Sequence, residues 1–155
     1  MCYCRDSIME AITNYIPHRK EMVLIENITN FSEDAFEVSL EISKTSVLYK
    51  KDLGCPSYCS IEYMAQSIAA YNSIHFESRD KVNIGFLVAV RKFCADREFF
   101  KLGDKITIKV KPILYVENSG SFECEVLVNN EISCKSRLTA YVPSAQELKK
   151  LKGLE

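Results

Sequence analysis

Two polar side chains, Glu62 and Gln66, interrupt the apolar stripe of the least polar helix predicted in the chain, which runs from about Ser57 to Phe76. They are one helical turn apart, so in a helix they lie on the same face. Glu62 falls in the predicted first turn, where the helix dipole stabilises an anion while burial favours the neutral acid. Such a carboxyl group is suited to proton transfer, although an acid here also serves as an ordinary cap. Its neighbours leave little room for full solvation: Tyr58, Ile61, Tyr63, Met64 and Ala65.

The chain has two histidines, His18 and His75, and histidine is the side chain best suited to acid–base work near neutral pH. His18 stands between Pro17 and Arg19, and a packing or hydrogen-bonding role and a catalytic role both remain open for it. His75 falls at the predicted end of the helix, where a cation interacts favourably with the dipole. His18 is therefore the histidine that we consider for chemistry.

The cysteines do not match the usual spacing of a zinc site. Cys2 and Cys4 form a CxC pair and Cys55 and Cys59 a CxxxC pair, whereas structural zinc usually needs two tight pairs. Cys59 is also a poor candidate nucleophile, because a nearby carboxylate makes a thiol less acidic. We predict no metal and no cofactor. The cysteines in strand-like segments are expected to be small buried hydrophobic residues: Cys94, Cys124 and Cys134.

Composition and charge exclude several classes of partner. The net charge is −1, and no run approaches the roughly 20 apolar residues of a membrane helix, so neither nucleic acid nor a membrane is expected as partner. Asp6 and Glu10 stand where a signal peptide would need its apolar stretch. An odd number of cysteines without an export signal indicates reduced thiols and a cytoplasmic location.

The elements that position these residues follow from hydrophobic periodicity. We predict helices at 6–15 and 57–76, a loop at 44–58, and strands at 22–28, 35–42, 84–94, 105–116, 121–128 and 131–142. The strand at 84–94 is nearly all apolar, as in a strand covered on both faces. Asn129-Asn130 predicts a hairpin turn, Ser57 or Ser60 a cap for the long helix, and Ser144 a cap for a short terminal helix.

This order predicts one α+β domain over residues 1–155, with a core at about 15–142, an N-terminal helix within 1–14 and a C-terminal tail at 144–155. A single apolar helix can bury its whole surface only inside a wrapping sheet. We therefore expect one long central helix wrapped by a curled antiparallel sheet.

Three segments resemble the motifs of one family, and they follow one another along the chain in the same order as in that family. Gly54–Gln66 resembles the active-site stretch of the hotdog-fold β-hydroxyacyl-acyl-carrier-protein dehydratases. Tyr15–Ile25 resembles their opening strand signature, and Gly85–Phe93 followed by Gly103-Asp104 resembles their later strand and turn. The resemblance covers about 15–141 and is nearest to the dehydratase-like proteins of aryl-polyene gene clusters. It implies a hotdog fold.

The resemblance also implies a dimer of hotdogs with a cleft at the subunit interface. In the family, a helix acid faces a histidine of the partner chain: the histidine removes the α proton beside the thioester, and the acid protonates the departing hydroxyl. Glu62 matches the acid and Gln66 the family's helix glutamine. From the same segment, Pro56, Tyr58 and Cys59 are expected, with Gln66, to bind substrate.

The chain departs from the family at the catalytic histidine. The family's His-Phe-Pro-Gly segment corresponds to residues 47–53, which contain no histidine. Tyr49, with an ordinary pKa of about 10, is a poor base at neutral pH, and Lys50 or Lys51 would need deep desolvation. His18 is then the leading candidate for the base, and Glu62 and His18 are the predicted catalytic residues.

Three functions remain open. The first is a lyase that dehydrates a β-hydroxyacyl thioester of acyl-carrier protein or coenzyme A, in fatty-acid or polyene biosynthesis. The second is a catalytically degenerate subunit that binds acyl-carrier protein or pairs with an active homologue. The third is an acyl thioesterase whose helix carboxylate activates water. In each case the expected assembly is a homodimer or a heterodimer with another hotdog subunit.

Overall fold

The computed structural model describes residues 12–32, 34–76 and 85–153. The long helix α1 spans Ser60–His75 and continues a 3-10 turn at Ser57–Cys59, and the short helix α2 spans Ala145–Leu151. The strands are β1 (Asn27–Phe31), β2 (Phe36–Glu41), β3 (Cys55–Pro56), β4 (Phe86–Ala95), β5 (Phe99–Phe100), β6 (Lys105–Val116), β7 (Ser119–Val128) and β8 (Glu131–Tyr141).

Six strands form one antiparallel sheet in the order β1-β2-β6-β7-β8-β4, and β3 pairs with β5 separately. The predicted strands at 35–42, 105–116, 121–128 and 131–142 are confirmed to within two residues at either end. Asn129 and Asn130 both have positive φ angles, of 50° and 70°, as a tight hairpin with an Asn-rich turn requires. The predicted turn between β7 and β8 is therefore confirmed.

The central helix packs across one face of this sheet against β2, β6, β7 and β8. Met64, Ile68, Ala70 and Tyr71 are buried along its sheet-facing side, and the small Ala70 permits close approach. Alternate residues of the strands complete the core: Phe36, Val38, Leu40, Ile106, Ile108, Val110, Phe122, Cys124, Val126, Val128, Cys134 and Leu138. The predicted α+β architecture is confirmed, and Cys124 and Cys134 are buried as expected.

The start of α1 differs from the prediction. Neither Ser57 nor Ser60 caps it; the N-cap position is Cys59, whose side chain makes no capping hydrogen bond. The Ser60 hydroxyl instead donates to the Ser57 carbonyl at 2.6 Å. The 3-10 turn that precedes the helix brings that carbonyl within reach, so the serine hydroxyl is used as a donor rather than as a cap.

The strand predicted at 22–28 begins only at Asn27, and a 3-10 turn occupies Lys20–Met22. The apolar residues Met22 and Leu24 gave the segment a strand-like pattern. Their main-chain groups, however, are hydrogen-bonded to the side chain of Gln66 rather than to a neighbouring strand. The hydrogen bonds to the Gln66 side chain therefore take the place of the strand-to-strand hydrogen bonds that the pattern predicted.

The apolar strand β4 is not covered on both faces, contrary to the prediction. It lies at the edge of the sheet, and within the single chain its residues are exposed apart from the half-buried Ala89 and Phe93. Cys94, predicted to be buried, is exposed for the same reason. No helix or second sheet of the described chain lies over this strand. The apolar composition of the strand could not show whether its cover comes from the same chain.

Of the two terminal helices that the sequence predicts, the structure describes the C-terminal one. The helix predicted at 6–15 lies mostly outside the described residues, which begin with a 3-10 turn at Ile12–Asn14. At the other end Ser144 caps α2 as predicted, in a reciprocal capping box with Glu147. Among the helices of the described ranges, none is long and apolar enough to cross a membrane.

Candidate active site

A cavity of about 350 Å³ lies between α1 and the edge of the sheet that carries β4 and the β6–β7 turn. Its helix wall carries Glu62, Ala65, Ile68, Ala69 and Asn72. The facing wall and the ends are formed by Pro17, His18, Ser73, Phe76, Gly85, Phe86, Leu87, Tyr115, Glu117, Asn118, Ser119, Gly120, Ala140 and Val142. The volume is within the usual range for small-ligand sites, and the middle is apolar.

Glu62 lies in the first turn of α1, as predicted, with its side chain on the cavity wall and 41% exposed. One of its oxygens, Oε1, is 3.0 Å from Nε2 of His18. The same Oε1 accepts a hydrogen bond of 3.1 Å from the Gln66 side-chain amide. The structure thus brings together the three residues that the sequence singled out for chemistry.

Gln66 is fully buried, with 0% exposure, and its amide joins two parts of the chain. Its Nε2 donates to the Met22 carbonyl at 2.6 Å, and its Oε1 accepts from the Leu24 N–H at 2.9 Å. A buried amide is stable only if its polar atoms are paired, and these contacts pair both ends of it. Gln66 therefore fastens the segment that carries His18 to the helix that carries Glu62.

His18 is held in place from both sides. The Arg19 guanidinium donates to the carbonyls of Ile16 and His18, both at 2.6 Å, which fixes the turn around the ring. Further back, the buried Ser73 hydroxyl of α1 donates to the Tyr15 carbonyl at 2.7 Å. Among the described residues, no partner is found for the second ring nitrogen of His18, Nδ1, which is buried.

The sequence did not single out Asn72 or Tyr115, which line the far end of the cavity, where the Tyr115 hydroxyl donates to Asn72 Oδ1 at 3.2 Å. Asn72 follows Glu62, Ala65 and Ala69 at helical spacing, so this side of the helix was readable from the sequence. Tyr115 lies far away in the chain and gives no such local signal.

Four residues predicted to bind substrate do not line the cavity. Gln66 lies behind Glu62, Pro56 is buried in β3, and Cys59 is buried in the 3-10 turn before α1. Tyr58 is exposed on the outer side of that turn. This cavity therefore gives no support to their predicted role in binding substrate, which stays a prediction.

The candidate bases of residues 47–53 are also away from the cavity. Tyr49 packs at the margin of the core, and Lys50 and Lys51 are exposed. The Lys50 ammonium lies 6.0 Å from the centre of the Phe99 ring. Neither lysine is desolvated as a catalytic base would have to be.

The thiols near the start of α1 are not activated. Burial, and secondarily Cys55, raises the pKa of Cys59 to about 11, and burial raises the pKa of Cys55 as well. Both are therefore protonated at neutral pH and poorly nucleophilic. Among residues 12–32, 34–76 and 85–153, no three His, Cys, Asp or Glu side chains come together as metal ligands.

This arrangement is suited to proton transfer beside an apolar chain. The Glu62 carboxyl group, with one oxygen held by two side chains, faces a cavity with an apolar middle. The cavity lies between the one long helix and the sheet that packs against it. Fold and site together define a hotdog protein with an acid on its central helix.

A family model described as "ApeP-like: ApeP dehydratase" matches residues 10–152. The chain belongs to this ApeP-like dehydratase family, which confirms the resemblance to the dehydratase-like proteins of aryl-polyene biosynthesis. No protein of curated function gives a significant match.

Solved structures agree with this assignment. The chain is 28% identical to one in the dehydratase heterocomplex ApeI:P from Xenorhabdus doucetiae, with a TM-score of 0.82 over 92% of this chain and 97% of that one. More distant similarities are to a hypothetical thioesterase with coenzyme A from Streptococcus pneumoniae TIGR4 (14% identity, TM-score 0.59, 76% and 85% covered) and to Escherichia coli PaaI (12%, 0.57, 74% and 81%). These two share the fold, and the predicted hotdog architecture is confirmed.

Proposed function

We propose that this chain is the acid-bearing subunit of a dehydratase that converts a β-hydroxyacyl thioester into the enoyl thioester and water. In this reaction a base takes the Cα proton, the Cα–H electron pair forms the double bond, and the Cβ–O bond breaks. Glu62 protonates the departing hydroxyl, which leaves as water. The observation that carries the proposal is the Glu62 carboxyl group, held by His18 and Gln66 at the wall of the cavity.

The cavity beyond Glu62 suits an acyl chain. From Glu62 to Asn72 the helix wall extends over ten residues, roughly 15 Å at 1.5 Å per residue. The small or aliphatic side chains of Ala65, Ile68 and Ala69 line its middle. An extended acyl chain buried along this wall would bring its thioester end beside Glu62, and the carrier, acyl-carrier protein or coenzyme A, would remain outside.

We further propose that a second hotdog subunit completes the site. Phe86 and Leu87 of the exposed strand β4 also line the cavity, so one cavity wall belongs to a surface that the single chain leaves uncovered. The relative from Xenorhabdus doucetiae is described as part of a heterocomplex. The absence of a histidine from residues 47–53 favours a partner that differs from this chain and supplies the base.

The test is turnover of a short β-hydroxyacyl pantetheine thioester, followed by mass spectrometry. The chain is assayed alone and together with a second hotdog subunit as candidate partner. Enoyl product with the pair supports the proposal. Free acid would indicate a thioesterase instead, and an unchanged thioester under both conditions would leave the chain as a binding subunit at most.

Glu62→Gln tests the site directly. We expect this variant to fold normally and to lose about 10²- to 10⁴-fold in kcat, the range for a general acid. Glu41→Gln, the same change at the exposed end of β2, is the matched control and should leave turnover unchanged. Normal turnover by Glu62→Gln would remove the carboxyl group from the mechanism.

A further inference from the structure

We infer that His18 is not the base but a positioning residue, whose neutral ring donates its Nε2–H to Glu62 and so places the acidic proton on Glu62 Oε2. The inference rests on the proposed function and goes further, because it assigns a role to each oxygen of the carboxyl group. It replaces the expectation from the sequence that His18 takes the Cα proton.

The hydrogen bonds on the Glu62 carboxyl group distinguish its two oxygens. Oε1 of Glu62 is approached by His18 Nε2 at 3.0 Å and by Gln66 Nε2 at 3.1 Å. The amide nitrogen of Gln66 can only donate, so Oε1 acts as an acceptor towards it. With both contacts on Oε1, a protonated Glu62 carries its proton on Oε2, the oxygen left free to meet the departing hydroxyl.

The other ring nitrogen of His18 is buried. Nδ1 of His18 is enclosed and has no hydrogen-bond partner in the described part of the chain. A ring protonated on both nitrogens would bury an N–H group without an acceptor, which is unfavourable. The neutral ring with its proton on Nε2 leaves a lone pair at Nδ1 instead of a charged N–H group, which is less costly to bury, and it gives Glu62 a donor. An enclosed Nδ1 is also out of reach of a substrate in the cavity.

The main-chain segment that carries His18 is tied down on both sides. Arg19 holds the carbonyls on either side of the turn, and Gln66 and Ser73 tie the segment to α1 at points beyond it. The Arg19 guanidinium is directed at those carbonyls, and His18 and Gln66 are the donors to Glu62. A side chain on a segment tied in this way is suited to orienting a neighbouring group.

The chemical consequence concerns the destination of the Cα proton. Glu62 Oε2 gives its proton to the β-hydroxyl, which leaves as water, while the Cα proton passes to a base of the second subunit. Proton exchange with water then returns Glu62 to its protonated form and the base of the second subunit to its deprotonated form. Within this chain His18 changes no covalent bond, so a side chain with an N–H at the same place should replace it.

Conservative replacement tests this directly. In the active complex we expect His18→Gln, whose amide N–H can occupy the position of Nε2, to keep kcat within about tenfold of the wild type. His18→Ala should lower kcat by about 10²-fold with a smaller change in KM, because Glu62 loses its orientation. His75→Gln is the matched control: His75 stacks on Tyr71 at the other end of α1. If His18→Gln is as inactive as His18→Ala, His18 is the base and the inference is wrong.

A second measurement does not depend on turnover. The chain has two histidines, so nitrogen-15 NMR of the rings at neutral pH can be assigned with the His75→Gln variant. We expect His18 to be neutral with its proton on Nε2, and we expect that signal to shift in Glu62→Gln. A proton on Nδ1, or a doubly protonated ring, would overturn the inference. If the tautomer is as expected but the thioester is not dehydrated, the proposed function fails and the positioning role stands.

Discussion

The strands β7 and β4 belong to one sheet, and although β4 is the more apolar of the two, β7 is the strand that is buried. In β7 buried residues alternate with half-buried or exposed ones, and Phe122, Cys124 and Val126 point into the core beneath α1. In β4 only Ala89 and Phe93 are half-buried, the other residues are exposed, and Val88 is 57% exposed. The apolar composition of a strand therefore indicates how much of its surface is unfavourable to expose, but it does not indicate which part of the chain, or which partner, covers that surface.

The cavity lies where these two regions meet. Glu62 is carried by the covered region, on a helix anchored in the core, whereas Phe86 and Leu87 contribute a wall from the uncovered strand. An exposed apolar strand at a sheet edge is a usual site of pairing with another chain. The covered region thus holds the Glu62 carboxyl group, and the uncovered strand β4 is available to a partner.

The largest expected effect is on stability in the covered region. Phe122 is fully buried, and its ring lies 5.7 Å from that of Tyr115 and 6.1 Å from that of Tyr71, centre to centre. We expect Phe122→Ala to lower the free energy of unfolding by about 3–5 kcal/mol. Phe86→Ala in β4, the matched change at an exposed position, should cost about 1 kcal/mol or less. Urea unfolding followed by circular dichroism measures both, and equal losses would contradict the comparison.

Much of the fold was predictable because its signals are local. The alternation in β2, β6 and β7 is set by one buried face, and Asn129-Asn130 favours its turn through residues that tolerate positive φ. The position of Glu62 in the first turn of α1 followed from the apolar stretch in the same way. These inferences needed no knowledge of distant parts of the chain.

The errors arose where a distant partner decides the structure. Met22 and Leu24 read as strand because the pattern could not show that Gln66, more than 40 residues away, binds their main chain. The pairing of His18 with Glu62 spans a similar separation. For β4 the pattern required a cover on both faces, whereas the described chain leaves the strand exposed.

The second prediction applies one substitution to both regions. Val126 of β7 is fully buried, and Val126→Thr places a hydroxyl in an apolar environment, at a cost of about 1–3 kcal/mol. Val88→Thr in β4 keeps the shape and a good strand former on an exposed surface, so we expect a change within about 0.5 kcal/mol. Urea unfolding at low protein concentration measures the difference. A cost at Val88 as large as that at Val126 would mean that β4 is already covered in solution.

The smallest expected effect concerns the contact that fastens the end of β4 to β8. Asp96 follows β4, where its N–H donates to the Ser133 carbonyl and its carboxylate accepts from the Ser133 hydroxyl and the Arg97 guanidinium. The Arg97 hydrogen bond first, and the Ser133 hydroxyl second, lower the pKa of Asp96 to about 2. A pKa below the unfolded value of about 3.9 means that the contact stabilises the fold above that pH and loses its contribution as pH falls towards 2.

This contribution is at most about 1 kcal/mol, because the carboxylate is half exposed and solvent screens it. We expect the difference in unfolding free energy between the wild type and Asp96→Asn to be constant above about pH 5 and to shrink as the pH falls towards 2. Hydrogen exchange of the β4 amides should follow the same course, because the contact closes the end of that strand. Asp52→Asn, on an exposed turn, is the control for general acid effects. A pH-independent difference would show that the charge of Asp96 does not hold β4, and the edge strand would then depend on its ladder with β8 alone.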